Sequence, residues 1–107
     1  MNHAYNPATD TWVDRAPLPA PQGYKGYAPA VGYDGKVYVM SGGNWDAPTA
    51  EFWVYDAGTD SWEAKPPMLD ALNIGCAGVI GSQIFFVGGE RPGLYGTTLN
   101  QMFQLAC

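Results

Sequence analysis

The feature that most limits how this chain can fold is an eight-residue phrase that occurs twice. The segment YNPATDTW at 5–12 returns as YDAGTDSW at 55–62, at a spacing of 50 residues. Two further pairs of blocks recur in the same order, 33–43 with 80–89 and 51–56 with 101–106. Blocks repeated in one order indicate internal structural repeats, and we place the two repeat units at 5–55 and 55–105.

Each unit reads as four short antiparallel strands. Segments such as KVYVMS and QIFFVG are rich in β-branched and aromatic residues, which favour strands. The segments TWVDR (11–15) and SWEAK (61–65) alternate apolar and polar residues, as half-exposed outer strands do. The other predicted strands are 28–33, 36–41 and 51–56 in the first unit, and 76–80, 83–88 and 101–106 in the second.

The glycine pairs Gly42-Gly43 and Gly88-Gly89 each follow an apolar strand. Each unit also carries a Tyr, a Trp seven residues later and a proline-rich segment, APLP or KPPM. Together these features resemble the kelch repeat. The sequence departs from that pattern only in small ways, such as Leu105 in place of Tyr. The resemblance covers essentially the whole chain, 1–107. It implies an all-β fold of two four-stranded antiparallel propeller blades, in which the repeated Tyr and Trp pack between blades.

Two blades do not close a propeller, which needs 4 to 8. The chain begins late in a third strand and continues into the outer strand 11–15, but it ends on the third strand 101–106. We therefore expect residues 11–15 of another copy to complete the second blade, so that a C3 homotrimer forms one six-bladed ring. The alternative is a truncated or excised pair of blades from a longer protein.

Charge and hydropathy exclude several classes of partner. The net charge of −5 argues against nucleic acid, whose phosphates require a basic surface. No run of 18 apolar residues is present to span a membrane, and the N-terminus lacks the basic and apolar regions of a signal peptide. Cys76 and Cys107 are expected to be free thiols in a reducing compartment, and we expect a cytoplasmic protein.

Binding residues are expected on the long connections after the second and fourth strands of each unit, which lie on one side of a meander. Arg91 suits a carboxylate ligand because a guanidinium binds it through two hydrogen bonds. The alternative is an exposed arginine paired with Glu90 or another acid. Trp45 is either a platform for a sugar or peptide, or a packing residue. The candidate ligand-binding residues are Arg91, Glu90, Asn44, Trp45, Tyr24, Asn73 and Tyr95.

Catalytic groups are scarce. His3 is the sole histidine and has no obvious partner, which argues against a nucleophilic triad, and no Cys or His spacing suggests a metal site. We expect no cofactor and, rather than an enzyme, a binding or scaffold module that recognises a protein or a small ligand through its loops or an axial pocket. The alternative is a sugar-processing enzyme that resembles bacterial kelch-type sialic acid isomerases, with Arg91 and Glu90 from three copies around one pocket.

Overall fold

The computed structural model describes residues 2–19, 28–40, 43–44, 47–72, 75–90 and 99–105, and the regular structure among them is antiparallel β-sheet. No helix in these ranges is long and apolar enough to cross a membrane. The strands are β1 (His3–Asn6), β2 (Thr11–Asp14), β3 (Ala30–Tyr33), β4 (Lys36–Met40), β5 (Gly43–Asn44), β6 (Ala47–Pro48), β7 (Phe52–Asp56), β8 (Ser61–Lys65), β9 (Cys76–Ile80), β10 (Gln83–Val87) and β11 (Asn100–Gln104). The all-β antiparallel expectation is confirmed.

Two sheets follow the repeat. Sheet I is a four-stranded meander in the order β3-β4-β7-β8, and sheet II has three strands in the order β11-β10-β9. Gly88 and Gly89 follow β10 with φ of 76° and 101°, a conformation that side chains disfavour and that explains the glycine pair at this exit. The connection between β4 and β7, which the sequence predicts as a loop, holds the short hairpin β5–β6.

The first strands form a separate two-stranded sheet, the N-terminal hairpin β1–β2. Its register pairs Tyr5 with Trp12, and the equivalent strands β7 and β8 of sheet I pair Tyr55 with Trp62 in the same way. The hairpin therefore reproduces the third and fourth strands of a unit. Strand β2, expected to complete sheet II of another copy, is paired with β1 of its own chain.

The core lies between the facing surfaces of sheets I and II. Alternate residues of each strand point inward because successive side chains of a strand lie on opposite faces. Aromatic rings contact each other across this interface: Phe52 and Phe103 have ring centroids 4.5 Å apart. The buried cluster comprises Tyr38, Met40, Phe52, Val54, Leu72, Ile84, Phe86 and Leu105.

The repeated phrase folds into the same local structure in both copies. The Tyr5 hydroxyl donates to Asp10 Oδ1 at 2.6 Å, and the Tyr55 hydroxyl donates to Asp60 Oδ1 at 2.7 Å. In each copy the Tyr ring lies 5.0 Å from the ring of the paired Trp. The two aspartates share a left-handed backbone, with φ of 54° and 52°. We call this arrangement of Tyr, Asp and Trp the corner unit.

The opposite surface of sheet II is uncovered by the described residues and is largely apolar. The side chains of Ile80, Val87 and Met102 on it are 71%, 51% and 51% exposed. Phe85 and Cys76 lie on the same surface because β9, β10 and β11 pair in register. An exposed apolar surface of this kind is where another element or molecule commonly packs.

Candidate functional site

The long connections leave sheets I and II on one side, which we call the loop side. Met40 ends β4 opposite Phe52, the first residue of β7, and Val87 ends β10 opposite Asn100 of β11. Of the residues that the sequence nominates, Glu90 is half-buried directly after Gly89, and Asn44 lies in β5. The others lie outside the described residues and stay predictions: Arg91, Trp45, Tyr24, Asn73 and Tyr95.

A cavity of about 210 Å³ opens between the two sheets at the loop side. Its wall is mainly apolar because it continues the core between the sheets. Sheet I contributes the end of β4 and the start of β7, sheet II contributes β10 and β11, and the segment after β8 forms the rest. The lining residues are Met40, Phe52, Pro67, Met68, Leu69, Ile84, Phe86, Gln101, Met102 and Phe103.

Gln101 is the polar exception in this wall. It is 8% exposed, and its Oε1 accepts a hydrogen bond from the backbone N–H of Asp70 at 3.0 Å. Its Nε2 is buried and has no hydrogen-bond partner among the described residues. An unpaired buried donor costs about 1–3 kcal/mol, so a ligand oxygen that accepts from Nε2 would regain this energy.

The rim of the cavity is exposed and apolar. Leu69, in the segment after β8, has 88% of its surface exposed, and its neighbour Met68 also lines the cavity. Methionine side chains adapt to ligands of irregular shape because they are unbranched and flexible. The cavity thus has a free amide donor inside it and apolar side chains at its mouth. These features suit a ligand with an apolar group and a hydrogen-bond acceptor.

The sequence analysis did not find these residues, although a signal for one of them is present. Gln101, Phe103 and Leu105 alternate along β11 and the residue after it, and the last two point into the core. A polar residue in the inward phase of an otherwise apolar strand needs a partner. Leu69 gives no such signal, because its exposure depends on how the segment after β8 crosses the sheets.

His3 does have a partner, so the expectation that it has none is wrong. Its Nε2 lies 3.2 Å from Asp14 Oδ1, since the hairpin register places these two residues opposite each other. Both side chains are exposed, and the pair lies on the N-terminal hairpin rather than in the cavity. Within the described residues, no three His, Cys, Asp or Glu side chains come together as a metal site.

A second polar cluster links the N-terminal hairpin to sheet I. Arg15 Nε donates to the Tyr55 hydroxyl at 2.8 Å, and the Ala16 N–H donates to Asp60 Oδ1 at 2.8 Å. The hydrogen bonds from Ala16 and Tyr55, with Arg15 nearby, lower the pKa of Asp60. The hydrogen bond to Tyr55 raises the pKa of Arg15. Every charged group here has a partner within the cluster, which forms a structural joint between the N-terminal hairpin and sheet I.

Comparisons with known proteins agree with the repeat. The Kelch motif family profile matches residues 25–69. Kelch-like protein terF of Aspergillus terreus (strain NIH 2624 / FGSC A1156) is 36% identical over 93 residues, which cover 79% of this chain and 19% of that protein. Kelch-like protein 23 of Homo sapiens is 29% identical over 93 residues, which cover 85% of this chain and 16% of that protein. The chain thus spans less than a fifth of the length of these relatives.

Among solved structures, the fold is similar to that of YjhT. The superposition has a TM-score of 0.62 at 22% sequence identity, and it covers 74% of this chain and 24% of YjhT. At this identity the likeness concerns the fold alone. Together with the repeated glycine pairs and corner units, the matches show that the chain belongs to the kelch-repeat family.

Proposed function

We propose that the chain is a binding module of the kelch propeller type that recognises a protein partner through the loop side of its sheets. The cavity beneath Leu69, with the unpaired Nε2 of Gln101 in its wall, carries this proposal. An apolar side chain of the partner fills the cavity, which stabilises the complex by about 1.5–3 kcal/mol for a side chain of leucine size. A neighbouring carbonyl of the partner accepts from Nε2.

We propose that the loop residues nominated by the sequence also belong to the binding surface. Arginine, tryptophan and tyrosine are the residue types that dominate the centres of protein interfaces. We propose that they surround the apolar anchor and select the partner by charge and shape. They are Arg91, Glu90, Asn44, Trp45, Tyr24, Asn73 and Tyr95.

A displayed random-peptide library tests this function because it samples many candidate partner segments at once. Peptides selected on the chain are expected to share an apolar residue and to bind at least tenfold more weakly to Leu69→Ser. Val13→Ser is the matched control, because Val13 is also apolar and exposed but lies on the N-terminal hairpin. Equal weakening by both variants, or none by either, would contradict the proposed surface.

We propose further that copies of the chain assemble head to tail into a C3 homotrimer of six blades. Among the described strands, β11 has no neighbour on its outer edge, and this edge and the apolar surface of sheet II around Ile80 support assembly. Strand β11 and β1 occupy equivalent positions in the repeat. In the trimer, β2 of one copy would therefore leave β1 of its own chain and pair with β11 of another copy.

Light scattering during gel filtration tests the assembly. A homotrimer gives about three times the chain mass of 11.5 kDa, and Ile80→Asp is expected to reduce the mass because it places a charge on the apolar surface. Leu69→Ser is the reciprocal control and should leave the mass unchanged. A mass of one chain at micromolar concentration would exclude the trimer while leaving the peptide-binding test intact.

A further inference from the structure

The cavity between sheets I and II collects most of the phenylalanine and methionine of the chain. Three of the four Phe and three of the four Met residues are among its ten lining residues, and none of the ten is charged. A charged side chain placed there would be buried without an ionic partner, which is costly. The wall therefore favours an apolar occupant that makes good contacts with rings and sulfur atoms. These lining residues are Phe52, Phe86, Phe103, Met40, Met68 and Met102.

The rings beside this cavity already contact each other edge to face. The Phe52 and Phe103 rings meet at an interplanar angle of 62°, and the Tyr38 and Phe52 rings at 74°. Aromatic rings favour this arrangement because the positive edge of one ring meets the negative face of the next. Phe103 and Met68 are only partly buried, so both remain accessible to an occupant. A further ring can contact Phe103 in this way, and methionine sulfur also packs favourably against ring edges.

The size of the cavity also fits a benzene ring. An apolar cavity of about 150 Å³ is large enough to bind benzene, and this one has a volume of about 210 Å³. The remaining space accommodates the carbon that joins a ring to a main chain. A leucine side chain has fewer carbon atoms beyond Cβ and would leave part of the wall without contacts.

We infer that the partner segment anchors itself in this cavity with a phenylalanine-type ring rather than with an aliphatic side chain, a step that rests on the binding function proposed above. The ring packs against Phe103 and Met68. The main-chain carbonyl beside it accepts the hydrogen bond from Gln101 Nε2, the buried donor that has no partner among the described residues. The Asp70 N–H holds the oxygen of the same amide, which fixes the side on which this donor lies.

Nuclear magnetic resonance of methionine methyl groups tests the inference, because the ring current of a bound aromatic group shifts nearby methyl signals. The probe is N-acetyl-L-phenylalanine methylamide, which carries both the ring and a main-chain carbonyl. It is expected to shift the Met68 signal with a dissociation constant on the order of 1 mM. The cyclohexylalanine analogue is about as large but has no π electrons, so it should bind about two- to tenfold more weakly. The leucine analogue should bind more weakly than either.

Variants of the chain identify the contacts. Met68→Leu keeps an apolar side chain of similar size but removes the sulfur. It should weaken the phenylalanine probe about two- to tenfold, followed through the Met40 signal, and leave the cyclohexylalanine probe unchanged. Gln101→Glu keeps an oxygen for the Asp70 N–H but removes the donor, so it should weaken both probes about tenfold. Val13→Ser, on the N-terminal hairpin, is the control and should change neither.

The inference and the proposed function fail in different ways. Equal affinity for the phenylalanine and cyclohexylalanine probes, tighter binding of the leucine probe, or methionine signals unmoved at about 10 mM phenylalanine probe would overturn the aromatic anchor. The displayed peptides sample longer segments with any apolar anchor, so they test the function separately. Selected peptides that bind Leu69→Ser as well as the unchanged chain would contradict the function itself.

Discussion

A methyl group added at Gly75 tests whether the segment that enters β9 packs against the ring of Phe86 in the neighbouring strand β10. A Cβ at this position would overlap Cζ and Cε1 of the Phe86 ring and would lie 3.0 Å from Cε2. Phe86 is 2% exposed, so its ring has little room to move. Overpacking of this kind costs about 1–3 kcal/mol. Any Gly→Ala change that the native backbone tolerates also raises the unfolding free energy by about 0.4–1 kcal/mol, because the unfolded chain loses backbone freedom.

Gly78→Ala is the matched control, because a Cβ there meets nothing within 4 Å and its φ is not positive. The unfolded-state gain is common to both variants. The difference in unfolding free energy between them therefore isolates the clash with Phe86, about 1–3 kcal/mol. In urea, with a slope of about 1–3 kcal/mol/M, this separates the two midpoints by on the order of 1 M.

The double variant Gly75→Ala with Phe86→Leu assigns the cost to the ring. In the Phe86→Leu background, Gly75→Ala is expected to cost at least ~1 kcal/mol less than it does alone, since the contacting ring carbons are gone. Equal urea midpoints for Gly75→Ala and Gly78→Ala would refute the packing of Phe86 against this segment, and with it the position of the cavity wall that Phe86 forms.

Three further changes test other parts of the structure. Leu72→Ala removes a side chain with 0% exposure between the sheets and should lower the unfolding free energy by about 2–5 kcal/mol in urea denaturation. Tyr55→Phe should cost about 0.5–1.5 kcal/mol because the hydroxyl bridges two partners, whereas Tyr5→Phe, with one partner and an exposed ring, should cost less in the same assay. Asp60 has a lowered pKa in the folded chain, chiefly because of the Ala16 N–H, so its stabilising effect is present above its unfolded pKa of about 3.9 and is lost as the pH falls through the folded value. Asp60→Asn should therefore lower the melting temperature at neutral pH and flatten its fall in acid, and an unchanged acid profile would contradict the role of this carboxylate.

The strands and their pairing follow from the sequence because they depend on local properties. Alternation of apolar residues and the repeat spacing predict each strand of sheets I and II to within two residues. The hydrogen bonds from Tyr5 to Asp10 and from Tyr55 to Asp60 do not follow from these patterns. The contact of His3 with Asp14 can be predicted in the same way. Once Tyr5 is placed opposite Trp12, as the second repeat requires for Tyr55 and Trp62, the hairpin register brings the two residues together.

The cavity and the joint at Arg15 could not be predicted in this way. Arg15 binds a residue 40 positions away, and nothing local to either one indicates which sheet the arginine reaches. The unpaired donor of Gln101 arises because its oxygen is bonded to the segment after β8 and the wall around its nitrogen comes from both sheets. Such features depend on how separate elements are placed relative to one another. No single segment of the sequence indicates that placement.

The joint formed by Arg15 and Ala16 has a consequence for building larger proteins from these repeats, because the residues 50 positions later are Lys65 and Pro66. An array made by tandem duplication of one unit must join each copy to the next through the end of its outer strand. A duplicate that ends in Arg-Ala can bond to the tyrosine and the aspartate of the next corner unit, as Arg15 and Ala16 do with Tyr55 and Asp60. A duplicate that ends in Lys-Pro loses the bond to the aspartate at every junction. The choice of two adjacent residues thus sets the order in which modules of this kind can be concatenated.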